Sequence, residues 1–169
     1  MTDFRDPLDP ASFRAVLGHF PTGVTAVTCT TGDRPVGMAI GSFTSVSLDP
    51  PLVAFLPGKS SNSWVDIKEA GRFCVNVLSV DQLAICSVMA SKAEDKFADV
   101  GWHLSPGGSP IIDDAVAWID CEIDAVHDAG DHEICIGRVL ALECDAETEV
   151  SPLVFYRGGY GSFTLLPRD

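Results

Sequence analysis

Apolar and polar residues follow one another along this chain in a pattern that predicts many short strands and few helices. Residues 9–20 are the first exception, because apolar side chains recur there at helical spacing after Asp9 and Pro10, a capping residue and a first-turn proline. A second helix is predicted between a Ser61 cap and a terminating Gly71.

The remaining apolar runs are short, rich in β-branched residues and separated by turn residues, which is typical of strands in hairpin order. They cover residues 24–30, 36–40, 43–48, 52–56, 73–78, 115–126 and 133–142, a last pair surrounds residues 156–160, and a third helical pattern covers residues 81–89. Many strands with few helices predict a mainly β fold, a closed antiparallel barrel. Residues 90–110 are polar and rich in glycine and proline, so we expect them to cross the surface.

Composition narrows the classes of function. The chain has 169 residues with 11 lysines and arginines against 24 acids, a net charge of −13. Such a chain is repelled by phosphate backbones and anionic lipids, so we expect no nucleic-acid partner and no membrane partner. Six cysteines occur without a C-x-x-C pair, which favours buried free thiols and a cytoplasmic location. Without a linker or repeat, residues 1–169 are expected to form one domain.

One short motif points to an anion. Gly58-Lys59-Ser60 resembles the end of a phosphate-binding P-loop, but Val53 stands where that motif requires glycine, which excludes a nucleoside triphosphatase of this type. The ammonium and hydroxyl groups of residues 59–63 still precede a helix, where backbone N–H groups attract anions. Ordinary helix capping explains the same residues equally well, and both interpretations stay open.

Two histidines flank a polar segment between the last long strands. His127 and His132 are five residues apart with no third ligand evident, so we expect no metal site. A loop histidine is better suited to donate a hydrogen bond to a ligand. Ser45 and Ser47 are predicted to share one side of a strand, with hydroxyls directed at a polar group, and no nucleophile motif accompanies them.

At this point the residues match a known family. Residues 21–25 and 36–53, which include Gly-Ser-Phe-Thr-Ser and Leu-Asp-Pro-Pro, resemble the flavin reductase family, the small NAD(P)H:flavin oxidoreductases of two-component monooxygenases. Further matches, in family order, lie at residues 71–78, 95–97, 108–110, 130–132 and 155–158. The resemblance implies a split β-barrel of Greek-key, FMN-binding type, a homodimer, FMN or FAD as acceptor, and NADH or NADPH as hydride donor. It also implies that reduced flavin passes to an oxygenase component.

The resemblance assigns roles to particular residues. The isoalloxazine ring is implied to face Gly37, Met38, Ala39, Ile40, Gly41 and Ser42. The ribityl and phosphate groups are implied to meet Ser45, Ser47, Pro57, Gly58, Lys59, Ser60, Asn62 and Ser63, with Val88 and Met89 also near the flavin. His132 is implied to meet the nicotinamide as the catalytic residue, and NAD(P)H to contact Tyr156, Arg157, Gly158 and Gly159. Relatives often carry polar residues where this chain has Ala39 and Gly41, so the choice between FMN and FAD stays open.

Two other functions compete with this interpretation. A split barrel can hold flavin or haem without turnover, and NADH oxidation in the presence of flavin distinguishes that alternative. An oxidase of the pyridoxamine-phosphate type is disfavoured by the Gly-Asp-His motif at residues 130–132 and the Ser-Phe-Thr-Ser motif at residues 42–45. The residues without the resemblance indicate only an antiparallel barrel that can bind an anion.

Overall fold

The computed structural model describes residues 4–144 and 150–167, and strands dominate this part of the chain. The helices are α1 (Pro10–Leu17), α2 (Asn62–Ala70) and α3 (Leu83–Ala90), the last preceded by a 3-10 turn at Val80–Gln82. The strands are β1 (Thr22–Gly23), β2 (Thr25–Thr31), β3 (Arg34–Ile40), β4 (Thr44–Leu48), β5 (Pro51–Phe55), β6 (Arg72–Val77), β7 (Trp102–Leu104), β8 (Pro110–Ile112), β9 (Ala117–Ala129), β10 (His132–Cys144), β11 (Leu153–Tyr156) and β12 (Gly159–Ser162).

Seven strands form one curled antiparallel sheet in the order β3-β2-β6-β9-β10-β5-β4. Six of them contribute side chains to a single buried cluster that includes Val27, Phe55, Phe73 and Cys135, so the sheet encloses its own core. Its edge strands, β3 and β4, are consecutive in the chain but are not paired with each other. The barrel is therefore split, as the family resemblance implied, and not closed as the strand pattern alone suggested.

The helix ends follow local chemistry, as the sequence predicts. The Asp9 carboxylate accepts hydrogen bonds from the N–H groups of Ala11 and Ser12, and the Ser61 hydroxyl accepts one from Trp64. Gly71 ends α2 with a φ of 69°, in the left-handed region that glycine adopts without steric cost. These caps satisfy backbone donors that a helix terminus leaves unpaired.

The segment between the two long strands differs from its expected form. Residues 127–132 are not a loop: β9 continues to Ala129, β10 begins at His132, and only Gly130 and Asp131 form the turn. The polar residues at the strand ends are exposed, and exposed strand ends have the composition of loops. His127 pairs with Ile134, so both histidines lie on strands of one hairpin.

A β-bulge changes the predicted orientation of two serines. Ser45 pairs with Val53 and Ser47 pairs with Leu52, leaving Val46 without a partner. Neighbouring residues on β5 point to opposite faces, so the two serines do not share a face as simple alternation predicts. That prediction is wrong because one extra residue shifts the register of β4.

Residues 90–110 cross the surface as expected over most of their length, but some of their residues are buried and anchor the segment in a second layer. Phe97, Val100 and Ile112 are buried in a cluster with residues of β2 and α3, outside the barrel core. In the same layer, Asn76 donates to backbone oxygens of Ala26 and Pro110 and accepts from the N–H of Ile112. The strand faces that turn away from the barrel core are therefore covered here. Among the described residues, no helix is long and apolar enough to cross a membrane.

Candidate functional site

The hairpin of β9 and β10 lies directly against residues 57–63, the predicted phosphate loop. Gly58 and His132 form an antiparallel bridge, and the N–H of Glu133 donates to Pro57 O at 3.0 Å. The N–H of Lys59 donates to Asp131 O, also at 3.0 Å. The structure thus brings together residues that are more than 70 positions apart, including Gly58 and the predicted catalytic histidine.

The Lys59 ammonium is engaged by this hairpin. It forms an ion pair with Asp128 and donates to Gly130 O at 2.7 Å. An ammonium paired in this way brings less net charge to an anion than the sequence interpretation of residues 59–63 supposed. Its contacts instead fix the loop to the turn.

His132 is held on one side and exposed on the other. Its Nδ1 lies 2.8 Å from the Asp131 carboxylate, and its side chain is 48% exposed. Hydrogen bonding from the His132 ring lowers the pKa of Asp131. An ionised carboxylate only accepts, so Nδ1 is the nitrogen that donates to Asp131, and Nε2 is left for a ligand.

Helix α2 is fastened to the same hairpin. The indole Nε1 of Trp64 donates to one Glu133 oxygen at 2.6 Å, and the Lys68 ammonium lies 2.8 Å from the other. Hydrogen bonds from Lys68 and from Trp64 lower the pKa of Glu133. These contacts hold the N-terminal end of α2, with Asn62 and Ser63, in a fixed position relative to His132.

The turn after β3 is tied to the start of the phosphate loop. The Ser42 hydroxyl accepts from Leu56 N at 3.0 Å and donates to Leu56 O at 3.3 Å. This double contact joins the segment predicted to face the ring to the segment predicted to face the phosphate. It also places Gly41 beside Thr22, whose Oγ1 would lie 3.1 Å from an added Cβ.

Several residues predicted to face the flavin have buried side chains. Met38 and Ile40 belong to the barrel core, and Met89 of α3 is 1% exposed. A Cβ on Gly37 would lie 2.6 Å from the Met89 sulfur, which shows how closely the two segments pack. Any contact from Met38, Ile40 or Met89 to a flavin is therefore made by backbone atoms. Val88 is partly buried and packs against the second core.

Lys96 was not among the predicted site residues, although it stands in a matched family segment. Its Nζ lies 2.8 Å from Met89 O, 3.0 Å from Gly37 O and 3.4 Å from Ser63 Oγ. Burial lowers its pKa. The three partners are distant from one another in sequence, so no spacing rule points to this lysine.

A large cavity of about 1430 Å³ opens beside the β3–β4 turn. Its lining includes Gly41, Ser42, Arg157 and Gly158, two residues from each of two predicted binding segments. Arg5, Arg14 and Arg157 line it, and no carboxylate does so within residues 4–144 and 150–167. In a chain of net charge −13, such a lining favours an anionic ligand.

Tyr156 and Gly159 flank the turn that presents Arg157 and Gly158 to this cavity. β11 ends at Tyr156 and β12 begins at Gly159, so these two residues pair across the turn. Arg157 donates its backbone N–H to Gly18 O at 3.0 Å, just beyond α1. The hairpin is thereby held against the end of α1, which forms the opposite wall of the cavity.

The fold is a split barrel in which the phosphate loop contacts the β9–β10 hairpin, and a cavity beside the β3–β4 turn attracts anions. These features define a small ligand-binding β protein. Residues 17–164 match the family described as "Flavin reductase like domain". The chain is 58% identical over 163 residues to a flavin reductase of Pseudomonas putida, covering 96% of this chain and 95% of that protein.

Two solved structures are similar over nearly their whole length. Nitrilotriacetate monooxygenase component B from Mycobacterium thermoresistibile superposes with a TM-score of 0.92 at 45% identity, covering 98% of this chain and 94% of that chain. NADH:FAD oxidoreductase SgcE6 of Streptomyces globisporus, in complex with NAD and FAD fragments, gives 0.90 at 35% identity, with 96% and 98% covered. The chain belongs to the flavin reductase family. It is an NAD(P)H-dependent enzyme that transfers hydride to FMN or FAD and supplies reduced flavin to a partner monooxygenase.

Proposed function

We propose that flavin binds along the surface that runs from the β3–β4 turn to residues 57–60 and the β9–β10 hairpin, and that His132 orients the nicotinamide beside the flavin ring. The observation that carries this proposal is the Gly58–His132 bridge, which joins the predicted phosphate loop to the predicted catalytic residue. The Ser42–Leu56 contact extends the same surface to the β3–β4 turn. Bound flavin supplies the redox chemistry, and this chain supplies binding and orientation.

The donor set fits a phosphorylated flavin. Hydroxyls of Ser60 and Ser63 and the amide of Asn62 lie at the beginning of α2, where free N–H groups and the helix dipole favour an anion. Pro57 and Gly58 connect these groups to the ring-facing segment. One of the two β4 serines is proposed to meet the ribityl chain, because Ser45 and Ser47 lie on opposite faces of the strand.

His132 is proposed to act through Nε2. With Nδ1 held by Asp131, Nε2 is the ring nitrogen that forms the proposed hydrogen bond with the nicotinamide carboxamide. That bond fixes the rotation of the nicotinamide, and orientation is a large part of the barrier to hydride transfer. The remainder of NAD(P)H is proposed to occupy the arginine-lined cavity, where Arg157 and Gly158 meet its phosphates.

The test compares His132→Ala with His127→Ala. Loss of one useful hydrogen bond of about 1.4 kcal/mol lowers turnover with NADH about 10-fold, and flavin affinity stays unchanged. His127 is the matched control because it lies on the same hairpin, paired with Ile134, and its replacement is expected to be nearly silent. Equal loss of flavin binding in both variants, with unaltered NADH kinetics, would contradict the assignment.

We propose further that the enzyme is a homodimer. Helix α1 leaves Phe13, Val16 and Leu17 more than half exposed, and Phe20 follows them at 73%. These side chains also line the cavity proposed for NAD(P)H, so the proposed interface borders that site. Faces of this kind are typical of subunit interfaces. Light scattering at micromolar concentration is expected to give twice the chain mass, and a fully active monomer would refute the proposal.

A cytoplasmic location is also proposed, because all six cysteines are free and five of them are buried. Cell fractionation checks this, and recovery of the active enzyme outside the cytoplasm would contradict it.

A further inference from the structure

The Lys96 side chain connects three elements of the fold. Gly37 O belongs to the edge strand β3, Met89 O to the last turn of α3, and Ser63 Oγ to the first turn of α2. The carbonyls at the end of a helix lack intrahelical partners, and α3 has no basic residue of its own in its last turn. The ammonium therefore caps α3 from outside the helix.

These three partners are also residues that the family resemblance assigns to the flavin, Gly37 and Met89 near the ring and Ser63 near the phosphate. Gly37 and Met89 pack directly on each other, and Ser63 opens the proposed phosphate site. The Lys96 ammonium donates to all three groups. It therefore fixes the distance between strand β3, which is predicted to face the flavin ring, and helix α2, which is predicted to face the phosphate. Hydrogen bonds from a charged donor are strong enough to hold such a spacing.

We propose that Lys96 is a positioning residue for flavin binding, which acts by fixing Gly37, Met89 and Ser63 relative to one another. The inference rests on the proposed function, because that proposal places the flavin between the ring-facing segment, which contains Gly37, and the beginning of α2, which contains Ser63. Lys96 thereby controls flavin affinity, and the rate of hydride transfer within the loaded enzyme depends on other groups.

The fold has other means of holding the segment that carries Lys96. The neighbouring Phe97 is buried against the face of Gly37 and stacks edge-on with Trp102, the ring centroids being 6.1 Å apart. The Asp95 carboxylate accepts from Phe97 N at 2.9 Å and forms a local turn. Replacing the ammonium leaves these contacts in place, so we expect a folded variant.

The experiment compares Lys96→Met with Lys92→Met in the full-length enzyme. Lys92 is an exposed lysine four residues earlier in the same segment, without a hydrogen bond to any described residue. Flavin fluorescence titration well below the melting temperature gives Kd, and steady-state kinetics separate KM for flavin from kcat. For Lys96→Met we expect Kd and KM to rise about 10-fold, with kcat at saturating flavin within about 2-fold of wild type. Lys92→Met is expected to match wild type.

Three results would overturn the inference: an unchanged flavin Kd in Lys96→Met, a fall in kcat without a rise in KM, or a lower melting temperature with unchanged affinity. The last result would assign the lysine to stability alone. If Lys96→Met does not fold, Lys96→Gln retains an N–H donor and is judged by the same readouts. Failure of the wild-type enzyme to bind flavin, by contrast, would refute the proposed function itself.

Discussion

Gly137 on β10 provides a stringent test of the barrel core, because its hydrogen occupies the only space that the neighbouring rings leave. A methyl group at this position would overlap Phe73 Cζ and lie 3.0 Å from Phe73 Cε1 and 3.3 Å from Cys121 Cβ. Phe73 cannot move aside easily. It is fully buried and packs edge-on against Phe55, with ring centroids 5.1 Å apart.

The expected cost follows from this geometry. Gly137→Ala requires the aromatic ring or the β10 backbone to shift, and overpacking of this kind costs about 1–3 kcal/mol. For a chain of this size, each kcal/mol lowers the melting temperature by about 2–4 °C, so we expect a loss of about 2–12 °C. Differential scanning fluorimetry measures it directly.

The matched control is Gly161→Ala on β12, where an added Cβ meets nothing within 4 Å. This variant is expected to melt within about 1 °C of wild type, because surface substitutions without new contacts are nearly neutral. A Gly137→Ala protein as stable as wild type would refute the packing argument. Equal destabilisation by both substitutions would instead point to a general loss of glycine flexibility.

Three further predictions concern charge, thiols and metals. Glu133→Gln should lower the melting temperature at neutral pH, because the folded pKa of Glu133 lies below its ordinary value. The difference in melting temperature from wild type should shrink as pH falls through that pKa, and melting curves over a series of pH values check this. In the native protein, Cys144 should be the one thiol that reacts with Ellman's reagent, and Cys144→Ser should abolish the reaction. The other five cysteines are buried, and burial raises the pKa values of Cys121 and Cys135 to about 12. Rapid labelling of more than one thiol would contradict this prediction. EDTA should leave flavin-dependent NADH oxidation unchanged, and loss of activity that a divalent ion restores would refute the metal-free mechanism.

The features that could be predicted from the sequence are those fixed by neighbouring residues. The caps at Asp9 and Ser61 and the terminating Gly71 act within four positions, so α2 lies where the pattern places it. Helix α1 begins as predicted but ends at Leu17, three residues before the end of the predicted helix. The bulge in β4 could not be predicted in this way, because the register between Ser45 and Ser47 is set by β5.

In the candidate site, too, features fixed by neighbouring residues could be predicted and features that depend on distant residues could not. Motif resemblance predicted roles for His132 and for residues 57–63, but the bridge between His132 and Gly58 depends on the fold. Lys96 was missed because its partners lie up to 59 positions away and two of them are backbone carbonyls, which any residue type supplies. The burial of Met89 was missed for a similar reason, since it depends on the absence of a side chain at Gly37.

The two free edges of the split barrel have a consequence for solubility. An unpaired strand edge invites the addition of a strand from another molecule, and long intermolecular sheets grow in this way. Here each edge is blocked by a different means. β3 carries Pro35, which lacks an N–H donor, and its Gly37 carbonyl is already occupied by Lys96. β4 is interrupted by the bulge at Val46, which breaks the regular spacing that an added strand needs. The barrel can therefore stay open between β3 and β4 without becoming a template for aggregation. Engineering of these two strands should preserve the blocked edge of β3 and the bulge in β4.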